Sequence, residues 1–210
     1  MAGTTSEDLA RLVEGEGLDD DRLVAAFRRV RRADFVPTVA RELAYEDRPI
    51  PIPEHQTTSQ PTLIARMIHA AAVGSDDRVL EVGTGYGFQT ALLAELARSV
   101  VSIERYPDLL DTARANLSHA GIEGVELVLG DGWAGHSARS PYDAIVVSAG
   151  APRIPPALAE QLAEGGRLVI PISGRFGDDV WLCLKRAGGV ERVRLVTPAR
   201  FVPLVEGPPR

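Results

Sequence analysis

The segment Val79-Leu80-Glu81-Val82-Gly83-Thr84-Gly85-Tyr86-Gly87 runs from an apolar stretch into alternating glycines that follow a carboxylate. Glycines let a backbone turn through positive φ and approach a ligand closely. A dinucleotide site is the obvious rival use of such a turn, and two features separate the options. The spacing is G-x-G-x-G, with Phe88 where the dinucleotide fingerprint needs its third glycine. Glu81, expected at the mouth of the loop, would repel a pyrophosphate. S-adenosylmethionine carries an ammonium and a sulfonium and no phosphate, so charge favours that methyl donor. Glu104, closing the next apolar run, can accept both ribose hydroxyls. Asp131, within Gly130-Asp131-Gly132-Trp133, can accept from an adenine amino group while a flanking backbone N–H donates to the ring. Alone, each acid reads equally well as a turn residue. In series, Glu81, Gly83, Thr84, Gly85, Gly87, Glu104, Asp131 and Gly132 outline one ligand, S-adenosyl-L-methionine, with S-adenosyl-L-homocysteine as the product.

These positions fall where an alternation of strands and helices would hold them. Strands are expected at 78–82, 100–103, 125–129, 144–147 and 168–172. Helices are expected at 88–97, from Pro107 with Gly121 as the residue beyond its end, and at 156–163 before Gly165-Gly166. Buried β-branched runs alternating with helices predict an α/β fold with a doubly wound, mostly parallel sheet, Rossmann-like as in class I methyltransferases. Val180 to Lys185 and Val193 to Val196, around Gly188-Gly189, predict a C-terminal antiparallel hairpin. Ahead of the core come N-terminal helices. One is capped within Asp19 to Asp21 and striped by Leu23, Val24, Phe27 and Val30, ending before Phe35-Val36-Pro37. The stretch Arg48 to Pro53 is too rich in proline for a helix or a central strand. A second helix starts after Ser59, as N-cap, with Pro61 in its first turn. The expected organisation is one domain over 1–210, with 1–77 as the helical, substrate-side segment and 78–210 as the donor-binding core.

The 210 residues carry a net charge of −6, which argues against a nucleic-acid footprint. Arg28, Arg29, Arg31 and Arg32 cluster, and a solvated helix end accounts for them. No apolar run is long enough to span a bilayer, and Met1 to Arg11 is too polar and acidic for a signal peptide. One cysteine, Cys183, sits in an apolar run and suits a reducing cytoplasm. His55, His69, His119 and His136 are scattered, so neither a metal site nor a histidine-based centre is expected.

The chain resembles the protein-L-isoaspartate O-methyltransferases from about Val36 to Gly207. The resemblance rests on Gln56-Thr57-Thr58-Ser59-Gln60-Pro61, Glu81 to Thr90, Gly130 to Trp133, and Arg200-Phe201-Val202-Pro203-Leu204-Val205. The first piece is similar to the family's Q-T-I-S-x-P segment. The resemblance implies methyl transfer to the free carboxyl of L-isoaspartyl (and D-aspartyl) residues in damaged protein, the ester then cyclising toward repair. It places Ser59 in the active site and Thr57, Thr58, Val202, Pro203 and Leu204 against the acceptor. The expected partners are isoaspartyl peptides or proteins, with no nucleic acid and no membrane, and the expected state is a cytoplasmic monomer. A carboxylate is already ionised at neutral pH, so no general base is required.

Three departures stand out. Pro53-Glu54-His55 replaces glycines ahead of the Q-T segment, Thr58 replaces the usual Ile, and Tyr86 replaces a common Ser. Two alternatives remain at this point: a carboxyl methyltransferase of the same fold serving one dedicated peptide, and a non-catalytic adaptor. An NAD-dependent oxidoreductase is disfavoured by the loop spacing. A nucleic-acid N-methyltransferase is disfavoured by Ser148-Ala149-Gly150-Ala151-Pro152 at the fourth strand end.

Overall fold

The computed structural model describes residues 5–18 and 20–209. Helix α1 (Ser6–Gly15) opens on a capping box, Thr5 accepting from the Asp8 N–H while Asp8 accepts from the Thr5 N–H. The sequence reading had no helix here, although Leu9 and Val13 form its buried stripe. Helix α2 (Asp21–Arg29) is capped by Asp20, which accepts from the Leu23 N–H. Asp19, the first of the three expected caps, lies outside the described residues, as do Met1 to Gly3 and Thr4. After two short 3-10 turns come β1 (Ile50–Ile52) and β2 (Gln56–Thr58), an antiparallel pair standing apart from the main sheet. Pro51 is tolerated because this strand is three residues long and has one neighbour.

The turn of that hairpin explains the first departure from the family pattern. Glu54 and His55 have φ of 60° and 55°, the left-handed region where glycine is at ease. The chain therefore keeps a glycine-type turn without glycines, and the Gln56 side chain donates to the Glu54 carbonyl across it (2.8 Å).

Helix α3 (Pro61–Ala71) begins one residue later than expected. Gln60, not Ser59, is its N-cap, and Gln60 makes no side-chain cap bond. The cap comes from outside the helix: Asp47 accepts from the Thr62 N–H (3.0 Å) and from the Thr62 hydroxyl. Ser59 is thereby released from capping.

The core then alternates β3 (Arg78–Val82), α4 (Phe88–Leu96), β4 (Ser99–Glu104), α5 (Pro107–His119), β5 (Val125–Leu129), β6 (Tyr142–Val147), α6 (Pro156–Gln161) and β7 (Leu162–Ser173). It ends in β8 (Asp178–Arg186) and β9 (Gly189–Ala199). The seven-stranded order is β5-β4-β3-β6-β7-β8-β9, and every strand runs the same way except β8, which is antiparallel to both β7 and β9 and forms with β9 the expected C-terminal hairpin. One boundary differs. The expected helix to 163 stops at Gln161, and β7 starts at Leu162, six residues early. Its pairing with β6 jumps from Tyr142–Leu162 to Ala144–Arg167, so Gly165 and Gly166 lie in a bulge of the strand.

Alternation along β3 divides the core. Leu80 and Val82 face a cluster with Ile103, Ile145, Leu158, Ile170 and Cys183. Val79 faces the other cluster, where α1 to α4 pack through Leu9, Phe27, Ile64, Met67 and Leu92. The N-terminal helices thus cover one sheet face. The hairpin β1–β2 instead covers the glycine loop, where Ile52 Cδ1 sits 3.5 Å from a Cβ built on Gly85.

Candidate active site

The loop after β3 is shaped by its backbone. Gly83 and Gly85 take φ of 97° and 56°, and both the Gly83 and Thr84 N–H groups donate to the Ile103 carbonyl (2.9 and 3.3 Å). Glu104, at the carboxyl end of β4, locks the loop from the side. Its Oε2 accepts from the Gly85 N–H (2.9 Å), and its Oε1 accepts from the N–H groups of Arg105 (2.8 Å) and Tyr106 (3.2 Å). Burial raises its pKa above the ordinary carboxylate value, and these three donors pull against that rise.

Three adjoining cavities open above the strand ends. The first is walled by Ile52, Gln56 to Ser59, Gly83 to Tyr86, Gln89, Glu104, Ser148 and Val202. The second, about 360 Å³, is walled by Asp47, Thr57, Ser59, Arg66, Ser148, Arg200 and Val202 among others. The third gathers Gly83, Glu104, Tyr106, Gly132, Ser148 and Val202 to Val205. Thr57 and Ser59 stand between the first two cavities, whereas Thr58 is buried and reaches only the first. Val202 borders all three. Pro203 and Leu204, expected beside the acceptor, wall the cavity that holds Glu104 and Gly132 instead. Backbone pairing puts them there, because Gly150 donates to the Val202 carbonyl and Leu204 donates to the Gly150 carbonyl (both 2.8 Å).

Glu81 is not at the mouth of the loop. It shares the α4 face of β3 with Val79, is fully buried, and borders none of these three cavities. Its carboxylate accepts from the Ser102 hydroxyl (2.6 Å), the Thr90 hydroxyl (2.5 Å) and the Gln89 amide (3.0 Å). Burial pushes its pKa up to about 7, with those three hydrogen bonds opposing and Glu104 adding a little. A carboxyl that binds its proton more tightly when folded costs nothing below its unfolded pKa. Its cost grows as pH rises toward 7 and is complete above it. Glu81→Gln should therefore flatten part of the stability profile. Between about pH 5 and about pH 8, wild type should lose unfolding free energy relative to the variant as pH rises. Denaturant titrations at both pH values measure this, and a constant difference would contradict the assignment.

Asp131 also works inside the protein. Its two oxygens accept from the N–H groups of Trp133 (2.9 Å) and Gly207 (2.8 Å), and it borders none of the three cavities. Its neighbour Gly132 does reach the third. A Cβ on Gly132 would lie 2.4 Å from Val82 Cγ1, so only glycine lets the chain pass this close to β3. Gly87 starts α4 as its N-cap and packs against Leu117 and Ala113, away from the cavities.

Sequence reasoning missed several residues that matter here. Gln89, Ser148, Asp47 and Arg66 all face the cavities. The largest error concerns Arg32. Arg28, Arg29 and Arg31 are exposed and ion-paired at their helix end, as expected, but Arg32 is completely buried. Its guanidinium donates to the carbonyls of Ala44, Glu46, Arg48 and Ser59 (all 3.0 Å) and lies 5.7 Å from the Phe88 ring centroid. Burial lowers its pKa to about 10. It ties the loop before β1 to the backbone of Ser59. Asp47, on the same loop, caps α3. Among the described residues no three or more potential metal ligands cluster.

A glycine loop after the first parallel strand, an acid closing the second, and a seven-stranded sheet with an antiparallel terminal hairpin define a Rossmann-like, class I methyltransferase. A profile of the protein-L-isoaspartate(D-aspartate) O-methyltransferases matches residues 4–208. The chain belongs to that family. It is 50% identical over 193 residues to a protein-L-isoaspartate O-methyltransferase of Methanoculleus marisnigri, covering 92% of this chain and 87% of the relative. It is 43% identical over 202 residues to one of Koribacter versatilis, covering 94% and 90%. A solved structure of a protein-L-isoaspartate O-methyltransferase superposes with a TM-score of 0.84 at 29% identity, covering 98% of this chain and 67% of that one. A Plasmodium falciparum protein solved with S-adenosyl-L-homocysteine shares the fold, with a TM-score of 0.83 at 24% identity and coverage of 97% and 99%.

Proposed function

We propose that the chain methylates the free carboxyl of L-isoaspartyl and D-aspartyl residues, using S-adenosyl-L-methionine and releasing S-adenosyl-L-homocysteine. The observation that carries this reading is the meeting of two kinds of wall at one place. The Gly83 to Gly85 loop with Glu104 forms one side, and Thr57 with Ser59 forms the other. The first suits the donor. Glu104 Oε1 is filled by two backbone donors, whereas Oε2 accepts only from Gly85 and keeps acceptor capacity for a ribose hydroxyl. The third cavity offers the adenine ring the Gly132 backbone and the apolar side chains of Val202 to Val205. Asp131 fixes the turn that presents Gly132, and Glu81 braces the loop from beneath.

The donor, when bound, supplies a methyl group on a sulfonium centre. The acceptor carboxylate arrives ionised, so the protein's work is alignment. Ser59 and Thr57 orient the carboxylate from the wall shared with the second cavity, while the covering hairpin excludes water from the first. Alignment of reacting groups can account for several orders of magnitude in rate.

The test of the donor half is a calorimetric titration with S-adenosyl-L-homocysteine. Wild type should bind one equivalent. Glu104→Ala should weaken binding by about 10–100-fold, the scale of one charge-assisted hydrogen bond to a ribose hydroxyl. Absence of binding to wild type would favour the adaptor reading. We further propose that the chain acts as a single domain and a monomer, in the cytoplasm, and without nucleic-acid or membrane partners. The acidic net charge supports this, as does the lack of any helix among the described residues long and apolar enough to cross a membrane.

A further inference from the structure

The carboxyl end of β6 presents a hydroxyl with no role so far. Ser148 donates its N–H to the Val82 carbonyl (2.8 Å), and its Cβ lies 3.4 Å from a Cβ built on Gly83. Ser148 and Val202 are the two residues that border all three cavities, and Ser148 alone of the pair has a polar side chain. Gln89 fixes how that side chain is used. Its amide nitrogen donates one hydrogen to Glu81 Oε1 (3.0 Å) and the other to Ser148 Oγ (2.9 Å). Where Glu81 is ionised, its carboxylate sets the flip of the amide, since only the nitrogen end can face an acceptor. With Ser148 Oγ accepting from Gln89, its own O–H is left to donate, and no acceptor among the described residues takes it. A hydroxyl free to donate, on a residue that borders all three cavities, suits an anion placed where they meet.

We propose that Ser148 is a carboxylate-binding residue: its hydroxyl donates to the isoaspartyl carboxylate of the acceptor, opposite Ser59, and Gln89 and Glu81 hold it in that orientation. This rests on the reading of the chain as an isoaspartyl methyltransferase. It also gives Glu81 a task suited to its burial, which is to set the direction of a proton donor through one intervening amide. The methionyl carboxylate of the donor is the competing anion, because the first cavity also contains the glycine loop.

The experiment uses the full chain, a synthetic isoaspartyl peptide and S-adenosyl-L-homocysteine. Ser148→Ala should raise the peptide KM by about 10-fold or more, as expected for one lost hydrogen bond to a charged group. Its affinity for S-adenosyl-L-homocysteine should stay within about twofold of wild type, as should its melting temperature within a few degrees. Gln89→Met should raise the peptide KM in the same direction, and an unchanged KM there would overturn the orienting role. An unchanged peptide KM in Ser148→Ala would overturn the proposal. So would a loss confined to S-adenosyl-L-homocysteine affinity, which would assign Ser148 to the donor. Wild-type protein that binds S-adenosyl-L-homocysteine yet methylates no isoaspartyl peptide would instead overturn the functional reading, and this inference with it.

Discussion

Ser59→Ala should lower kcat/KM for an isoaspartyl peptide by about 100-fold while leaving the affinity for S-adenosyl-L-homocysteine unchanged. The expectation follows from where Ser59 stands. Ser59 borders both the cavity of the glycine loop and the larger cavity beside it, which in the proposed reaction is the boundary the methyl group crosses. Its backbone is fixed separately, by Arg32 at the carbonyl, and α3 takes its cap from Asp47. Removing the hydroxyl therefore disturbs neither the helix nor the loop. A loss of turnover would report on the acceptor and not on folding. Steady-state kinetics and calorimetry on the same preparation measure the two halves, and wild-type kinetics in the variant would remove Ser59 from the site.

Arg32→Met should destabilise the fold by about 3–5 kcal/mol, among the larger effects a single substitution produces. The side chain is 0% exposed and satisfies four backbone carbonyls at once. Replacing it with an apolar chain of similar length keeps the volume but leaves those acceptors to find water or go unpaired, at about 1–3 kcal/mol for each left dry. Arg32→Lys should recover little, because a point charge with three donors cannot reproduce the planar fork. The damage should also spread toward function, since the loop carrying Asp47 and the carbonyl of Ser59 share this anchor. Chemical denaturation gives the stability change. A midpoint equal to that of wild type would contradict the anchoring role.

Much of this architecture was legible because the core obeys local rules. The strands from β3 to β5 are short runs closed by glycine or acid, and α5 ends with Gly121 in the position expected of it. What escaped the sequence was decided by partners distant along the chain. Arg32 looks like its three neighbours, and only the carbonyls of residues 44 to 59 distinguish it. Ser59 looked like a cap until Asp47, 15 residues before Thr62, took the role. Glu81 was placed at the loop mouth from its charge, whereas strand alternation had already assigned it to the α4 side with Val79. That signal was available, and counting faces along β3 would have found it. Glu54 and His55 conceal a glycine-type turn, because a left-handed backbone leaves no trace in non-glycine residue types.

In the proposed reading the glycine loop and Glu104 hold the donor, while Thr57, Ser59 and their neighbours hold the acceptor. Methyl acceptance by two peptides that differ only in one linkage tests that acceptor half most directly. With labelled S-adenosyl-L-methionine, the isoaspartyl peptide should gain a base-labile methyl ester and its normal aspartyl counterpart should gain none. Equal labelling of both, or labelling of the aspartyl peptide alone, would contradict the account.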